Sequence, residues 1–264
     1  MPIVKILHKN RGLDGAWTAK GQVATLPSTN LADANRQKLW RSTGAESTQW
    51  VRVDLGTCYP IDGFALVSAN ASTAAVITIE TATSSGFGAI VFTTSLTPWN
   101  ASRSNVLVQF FSATQTYRWW RVNIADTGNT NNYLQLGTVY LSCAVAMDVG
   151  PETLGYSIVD PSLVDYAPGG TPKTFSLSPY AVVELPHRLT AESLVFGGLE
   201  DVVRNIGRKT DAVLSLFSSA PSCSAIAQAT NLYGRFESDP GFSYVVQAGA
   251  CGLYNTTFRF RESL

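Results

Sequence analysis

The sequence predicts a mainly β protein: an N-terminal β-sandwich followed by a smaller β-rich domain with one α-helix. Up to about residue 143, short segments that are apolar, or that alternate between apolar and polar residues, are separated by clusters of Gly, Pro, Asn and Ser. Strands at this spacing with polar turns between them are typical of a sandwich. Downstream, helical periodicity is found in one segment, residues 193–206.

The composition favours the same class. Of the 264 residues, 45% are hydrophobic, only 14% are charged, and the formal net charge is zero. This profile suits a packed core with hydroxyl-rich outer faces, or a protein that buries much of its surface in an assembly. We expect neither nucleic acid nor an anionic membrane as a partner, because a neutral chain has no general attraction to either. No apolar run is long enough for a membrane span or a signal peptide, so we expect synthesis and folding in a cytoplasm.

The strands of the sandwich can be placed by their apolar patterns. We predict them at residues 3–7, 51–55, 63–68, 76–81, 89–93, 106–111, 117–124 and 136–141. Since side chains alternate along a strand, one face of residues 118–124 should lie in the core and the other outside. The predicted core face is Trp120, Val122 and Ile124, and the outer face is Trp119, Arg121 and Asn123.

A segment rich in Pro and Gly, residues 144–174, predicts a linker, and we place the domains at 1–146 and 147–264. The second domain has predicted strands at 181–185, 211–217, 231–237, 244–248 and 256–262. In its predicted helix, apolar residues recur at helical spacing, Gly207 follows as a C-terminal cap, and two basic residues suit the negative helix end. The apolar positions are Leu199, Val202, Val203 and Ile206, and the basic residues are Arg208 and Lys209.

Residues for catalysis are scarce in this chain. It has two histidines, and we expect His187, between Pro186 and Arg188, on an exposed turn. No nucleophile elbow, zinc-protease motif or phosphate-binding loop is present. No pair stands out among the nineteen acidic residues. We therefore predict no enzymatic activity and keep a glycan-cleaving enzyme as a remaining alternative.

The four cysteines lack the spacing of a metal site. We expect Cys58, Cys143, Cys223 and Cys251 to be free and mostly buried thiols. Neither histidine lies near a cysteine pair, which argues against zinc. The sequence predicts no metal and no cofactor.

The residue types in the predicted loops favour sugar binding over catalysis. Aromatic rings stack on the apolar faces of sugars, while Asn, Asp and Arg side chains hydrogen-bond the hydroxyls. Four aromatic residues lie near polar, turn-prone segments: Trp17, Trp40, Trp99 and Tyr133. The tip at residues 98–100 and the loop at 127–133 are the best candidates, so the predicted carbohydrate site is Trp99, Asn100, Asn131 and Tyr133. The alternative is that these aromatic residues pack under loops or against neighbouring subunits.

Short motifs in the first half occur in a recognisable order: NLADAN, then WRS, then QWVRVDLG, then IDGFAL. This order resembles the start of a discoidin or galactose-binding-like β-sandwich, and the later YRWWRVNIAD and LQLGTVYL are similar to the last two strands of that family. The resemblance covers about residues 25–142 and implies a jelly-roll sandwich.

The same resemblance bears on metal and disulfide sites. Many sugar-binding members hold a structural calcium between the Asp-containing loop and a glutamate after the final strand motif. Here Asp33 and Asn35 keep the loop, but Thr138 stands at the glutamate position, which argues against calcium. Cys58 and Cys143 do not occupy the positions of the bridging cysteine pair that the family often has.

The second half carries EDVVRNIGRKTDAVLSLF, then NLYGRFE, then YNTTFRFRESL. These phrases are similar to tail proteins of long-tailed bacteriophages, over about residues 150–264. The resemblance implies a structural protein of a phage tail tip or baseplate, most like a distal tail protein, located in the virion. Residues 150–264 would form a ring of identical copies, by analogy a hexamer, between the tail tube and the hub.

In such a ring, hydroxyl-rich strands and apolar residues such as Phe258 and Phe260 would supply the interfaces. The sandwich would decorate the outside, where it braces neighbours or contacts a host-surface glycan. The alternative function is a carbohydrate-binding, lectin-like module without catalytic activity.

Overall fold

The computed structural model describes residues 4–35, 37–44, 48–96, 106–147, 154–166, 172–191, 195–218, 230–237, 240–247 and 250–263. Strands make up 57% of the structure, and the described part holds one α-helix, which confirms the predicted mainly β class. None of the described helices is both long and apolar enough to span a membrane. Contacts divide the chain into two compact units. The sandwich unit comprises Pro2–Ala146 with Val213–Asn231, and the C-terminal unit comprises Met147–Ala212 with Leu232–Leu264.

The strands and helices have the following bounds. The first ten strands are β1 (Val4–Leu7), β2 (Ala16–Ala19), β3 (Trp40–Arg41), β4 (Thr48–Val67), β5 (Val76–Ala82), β6 (Ile90–Leu96), β7 (Val106–Ala125), β8 (Gln135–Leu136), β9 (Thr138–Ser142) and β10 (Ala144–Met147). The remaining strands are β11 (Gly155–Val159), β12 (Leu163–Tyr166), β13 (Pro172–Phe175), β14 (Tyr180–Ala191), β15 (Ala212–Ser215), β16 (Asn231–Phe236), β17 (Ser243–Gln247) and β18 (Ala250–Glu262). Two 3-10 helices (Arg11–Asp14, Ser28–Ala32), a π-helix (Val195–Leu199) and the α-helix α1 (Glu200–Ile206) complete the structure.

The two longest strands, β4 and β7, build both layers of the sandwich unit. The first half of β4 pairs with β2 and with the end of β7, and β5 and β6 extend this layer. After register shifts between Asp54 and Tyr59 and between Ile61 and Gly63, the second half of β4 pairs with β9 and with the start of β7. Side chains from both halves of β4 meet in one hydrophobic cluster. The sheet therefore folds over on itself around a single core.

The predicted alternation in β7 is confirmed. Trp120, Val122 and Ile124 are buried in the core, and the residues between them are half-buried on the outer face. The separate strands predicted at 51–55 and 63–68 are instead one continuous strand, β4. Gly56 does not end it: this glycine has φ of 73°, and its N–H donates to Asp54 Oδ1 at 2.8 Å, so the strand twists locally and continues.

The N-terminal strand contributes a second pairing in the sandwich unit. β1 runs antiparallel to β15, with Ile6 opposite Leu214. This pairing explains why the segment that begins at Val213 groups with Pro2–Ala146. In the sequence, that segment lies far beyond the predicted domain boundary at residue 146.

In the C-terminal unit, β18 is the central strand and pairs with β14, β16 and β17, while β11 pairs with the outer side of β14. β12 and β13 form a separate two-stranded hairpin. The predicted helix at 193–206 is a π-helix followed by α1, and residues 193–194 lie outside the described part. Gly207 ends α1 with a positive φ of 48°, and its N–H donates to Val203 O at 2.9 Å.

Two expectations for this unit are wrong. Phe258 and Phe260 were predicted at an interface but have 0% exposure, because they pack against Phe236 with ring centroids 5.4 and 5.9 Å away. His187 was predicted on an exposed turn but lies within β14 and is 1% exposed, its ring edge-on to Phe258 at 5.2 Å. Both errors have one cause: alternation in long paired strands places these residues on the inner face.

The cysteine prediction is confirmed in part and corrected in part. Cys58 and Cys143 are free, as predicted, but exposed rather than buried. Although Cys143 is exposed as a whole residue, partial desolvation of its thiol and, second, the nearby Asp62 carboxylate raise the pKa of that thiol. Cys223, and the side chain of Cys251, lie outside the described residues.

Candidate functional site

One end of the sandwich brings together three segments from distant parts of the sequence. The first is 68–75, between β4 and β5, and the second is 126–134, between β7 and β8. The third is β3, which pairs with β8 so that Arg41 lies opposite Gln135. Loops at the end of a rigid sandwich are where binding residues tend to be placed.

Asn70 is the centre of the hydrogen-bond network that holds these segments. Its Oδ1 accepts from Gln135 N at 2.7 Å, and its Nδ2 donates to Tyr133 O at 3.0 Å. Its main-chain N–H donates to Gln135 O at 3.2 Å, and its main-chain oxygen accepts from Asn129 Nδ2 at 2.9 Å. With both main-chain and side-chain groups bonded, Asn70 fixes the backbone of residues 133–135.

A second set of hydrogen bonds fixes residues 126–131 of the 126–134 loop. The buried Asp126 carboxylate accepts from Ser72 N at 2.7 Å, from Asn129 Nδ2 at 3.0 Å and from the Ser72 hydroxyl. Asn129 Oδ1 in turn accepts from Asn131 N at 2.9 Å. Three donors bond to the Asp126 carboxylate, which ties the 126–134 loop to Ser72 and Asn129.

Arg41, Tyr133 and Gln135 form a half-buried group that we call the rim. The Arg41 guanidinium carbon is 4.1 Å from the centroid of the Tyr133 ring. Its Nε and Nη2 donate to Gln135 Oε1 at 3.2 and 2.8 Å. Stacking and the paired hydrogen bonds together fix the plane of the guanidinium. The rim therefore combines an aromatic ring with polar groups that are held in fixed positions.

The predicted site residues fall in two places. Asn131 and Tyr133 both lie in the 126–134 loop, where Asn131 is exposed and its main-chain N–H donates to Asn129 Oδ1. Trp99 and Asn100 lie outside the described residues.

Two further aromatic candidates for sugar stacking are buried. Trp40 has 0% exposure in the core, and Trp17 is also buried, with its Nε1 donating to Gly12 O at 2.7 Å. Neither ring can meet a sugar. Sequence reasoning also missed Arg41, Gln135 and Asn70. Arg41 carried a signal, since in an extended strand the neighbour of a buried residue points outward.

The Asp33 carboxylate is engaged within its own loop. Asp33 pairs with Lys38 Nζ at 2.5 Å and accepts from Asn35 N at 2.8 Å. These two contacts, the lysine first, lower the pKa of the Asp33 carboxyl. Thr138, at the position where the family has glutamate, is buried. Within the described ranges, no group of three or more His, Cys, Asp or Glu residues could hold a metal ion.

No family model matches the sequence, and no curated protein matches it either. Solved structures are similar to about half of the chain. Chitosan-binding module 1 of a chitosanase/glucanase from Paenibacillus sp. IK-5 is 22% identical, covering 52% of this chain and 100% of the module, with a TM-score of 0.42. A fucose-binding module of Streptococcus pneumoniae is 16% identical over 51% of this chain and 98% of that chain, with a TM-score of 0.42.

A family 32 carbohydrate-binding module of C. perfringens, solved with galactose, is 15% identical over 52% of this chain and 98% of that chain, with a TM-score of 0.40. Similarity at these TM-scores carries no functional argument.

Proposed function

We propose that the sandwich unit is a non-catalytic carbohydrate-binding module whose site is the rim of Arg41, Tyr133 and Gln135 together with the exposed Asn131. The observation that supports this most is the stacking of Arg41 on Tyr133 at 4.1 Å, with Gln135 holding the guanidinium in plane. The proposal concerns glycans as a class and names no particular sugar.

The chemistry of the rim suits sugar hydroxyls. Guanidinium and amide N–H groups donate, amide oxygens accept, and the tyrosine phenol does both. An aromatic ring adds an apolar face for the C–H side of a pyranose. Because Asn70 and Asp126 already order the loop, a ligand loses little free energy in ordering it, which favours binding of a small neutral molecule.

The test is a glycan-array screen of the full chain, followed by calorimetric titration of the best glycan. Tyr133→Ala should weaken binding about tenfold or more, which is ~1.4 kcal/mol, since it removes the aromatic surface. Arg41→Ala should weaken binding to a similar extent, because it removes both the donors and the stacking partner.

The chain offers a matched control in the same unit. Tyr59 also stacks with an arginine, Arg11, at 4.3 Å, and is also half-buried. Tyr59→Ala should leave glycan affinity unchanged. If the array shows no binding, or if Tyr59→Ala and Tyr133→Ala lose affinity equally, the rim is not the site.

A second candidate function rests on the β12–β13 hairpin. Leu163 and Phe175 lie opposite each other in it, with 68% and 76% exposure. Val164 and Tyr166 are exposed as well, as are two large apolar residues of β11, Tyr156 and Ile158. A two-stranded hairpin with apolar side chains in water is marginally stable alone, and contiguous exposed apolar surface marks interaction sites.

On this basis we also propose the assembly role that the phage resemblance implies: a ring of identical chains in a tail tip, within a virion, in contact with tube and hub proteins. Light scattering at several concentrations tests it. The wild type should form a ring-sized oligomer, and the double variant Leu163→Glu with Phe175→Glu should be a monomer. Two exposed residues of β6 provide the control, since Ile90→Glu with Val91→Glu should keep the oligomer. A wild type that is monomeric throughout contradicts a ring that forms in solution.

A further inference from the structure

A cleft of about 460 Å³ lies in the C-terminal unit, apart from the residues of either proposed function. It is lined by Tyr180 of β14, by Arg235, Phe236 and Glu237 at the end of β16, by Arg261, Glu262 and Ser263 at the end of β18, and by Arg208 after α1. Its volume lies within the ~300–1,000 Å³ range of small-ligand sites. Three of its eight lining residues are arginines.

The strand register places two of these arginines side by side. Arg235 and Arg261 are directly opposite each other on β16 and β18. Like charges at directly opposite positions destabilise a sheet, so each guanidinium needs a compensating partner. Asp211 compensates Arg235 with two contacts, at 2.9 and 3.1 Å, and Ser263 Oγ donates to the same carboxylate at 2.7 Å.

The other carboxylates near the cleft are also engaged. Glu237 pairs with Arg259 at 2.7 Å, and Arg259 also lies 3.5 Å from Glu184. Glu262 Oε2 accepts from Ala181 N at 2.9 Å. Arg259, two residues before Arg261 on the same exposed side of β18, thus has two carboxylate partners.

Arg261 has an aromatic partner instead of an acidic one. Its guanidinium carbon is 4.0 Å from the centroid of the Tyr180 ring. Across the ranges that the structure describes, no carboxylate forms an ion pair with Arg261 or with Arg208, and both side chains are exposed. Stacking on tyrosine fixes the guanidinium plane and leaves its N–H edge as the recognition group.

We propose that this cleft binds a small organic ligand through an oxyanion group, a carboxylate or a phosphate, held by Arg261. A planar guanidinium binds either group with two parallel hydrogen bonds. Arg208 adds a second positive charge to the lining of the cleft, and Tyr180 provides an apolar surface for the rest of the ligand. The anion would supply the compensating charge that Arg261 lacks beside Arg235.

The experiment titrates the full chain at low ionic strength with inorganic phosphate, with D-glucuronate and with neutral D-glucose, by calorimetry and by NMR of the arginine Nε–H signals. We expect saturable binding of at least one of the two anions, a shift of the Arg261 signal, and no binding of glucose at this cleft. The anion that binds identifies the oxyanion group. Rising salt should weaken the interaction, because it screens the charges.

Arg261→Ala should lower the affinity about tenfold or more, and Arg261→Lys should lower it less, because the charge remains but the paired hydrogen bonds do not. Arg204→Ala is the matched control in the same unit and should keep the affinity, because Arg204 pairs with Glu200 and neither residue lines the cleft. Thermal melts establish that each variant is folded. If Arg261→Ala does not fold, the proposal is tested with Arg208→Ala and Arg261→Lys, both of which should bind the anion more weakly than the wild type does. No saturable binding of either anion, or equal affinity in wild type and folded Arg261 variants, overturns the proposal.

Discussion

The two units differ in the partners that their surface side chains find within the protein. In the sandwich unit, the polar groups at the loop end bond to one another, and the large aromatic residues Trp40 and Trp120 are inside. In the C-terminal unit, the β12–β13 hairpin exposes Leu163 and Phe175, and Arg261 has no carboxylate partner among the described residues. At the loop end of the first unit, polar side chains are held by one another. For the exposed groups of the second unit, we propose that neighbouring copies and a bound anion supply the partners.

Among the substitutions considered, Trp40→Ala should reduce stability most, and it tests whether the core beside the rim supports the fold. Trp40→Ala should lower the free energy of unfolding by about 3–5 kcal/mol, because it empties a fully buried aromatic position of the core. Its neighbour Arg41 is half-buried, so Arg41→Ala should cost little stability and act on glycan binding instead. Denaturant unfolding of both variants measures the contrast. Equal destabilisation would contradict the assignment of Trp40 to the core and Arg41 to the rim.

The next effect concerns the C-terminal unit. A Cβ at Gly234 would overlap the carbonyl oxygen of Arg261, which belongs to the backbone of β18 and cannot move freely. Gly234→Ala should therefore lower the free energy of unfolding by about 3 kcal/mol. Gly197, where a Cβ would meet nothing within 4 Å, is the control, and Gly197→Ala should be close to neutral. Thermal unfolding compares the two, and a tolerated Gly234→Ala would show that β16 and β18 are not in such close contact.

Loss of the Asn70 side chain should affect both the free energy of unfolding and the glycan affinity of the sandwich unit. Asn70→Ala removes the bond that Asn70 Oδ1 accepts from Gln135 N and the bond that Asn70 Nδ2 donates to Tyr133 O. It should cost about 2 kcal/mol, since the partner groups lose their bonds, and it should also weaken glycan binding because the rim is no longer fixed. Unfolding and calorimetric titration on the same sample test both parts. Unchanged affinity in a destabilised variant would separate the Asn70 network from the site.

The smallest effect is electrostatic. The hydrogen bond from Arg118, followed by that from Gly56 N–H, lowers the pKa of the Asp54 carboxyl. A lowered folded pKa means that the ion pair stabilises the protein above the ordinary Asp value and that this stability is lost as the pH falls through the folded pKa. Asp54→Asn should therefore cost at most about 1 kcal/mol at neutral pH. The difference from wild type should shrink in acid.

Unfolding at a series of pH values measures this prediction. Asp14, more exposed and 3.8 Å from Arg11, provides the control, and Asp14→Asn should show a smaller difference at neutral pH. A difference for Asp54→Asn that does not depend on pH would contradict the role given to its charge.

Local patterns in the sequence were enough for features that depend on neighbours along the chain. The alternation of Trp120, Val122 and Ile124 predicted the inner face of β7, and Gly207 marked the end of α1 correctly. Asn131 and Tyr133 were predicted as site residues because polar, turn-prone residues there flank an aromatic one, and their role in binding stays a prediction. Each of these features is decided by the chemistry of a few consecutive residues.

The remaining features depend on pairings between distant segments. Arg41 and Gln135 are 94 positions apart and meet only because β3 pairs with β8 in one particular register. His187 is buried because β14 pairs with β18 over most of its length, and no local pattern reveals that length. The same holds for Arg261, whose position opposite Arg235 follows from the register of β16 and β18.

Carbohydrate binding at the rim of the sandwich unit can be tested directly by an amide NMR titration of the full chain with the best glycan from the array. We expect the shifts to concentrate at Arg41, Asn70 and residues 131–135 and to saturate with ligand. Saturating shifts that fall instead on the outer face of β4 and β7, around Trp50 and Trp119, would contradict it, as would the absence of any shift.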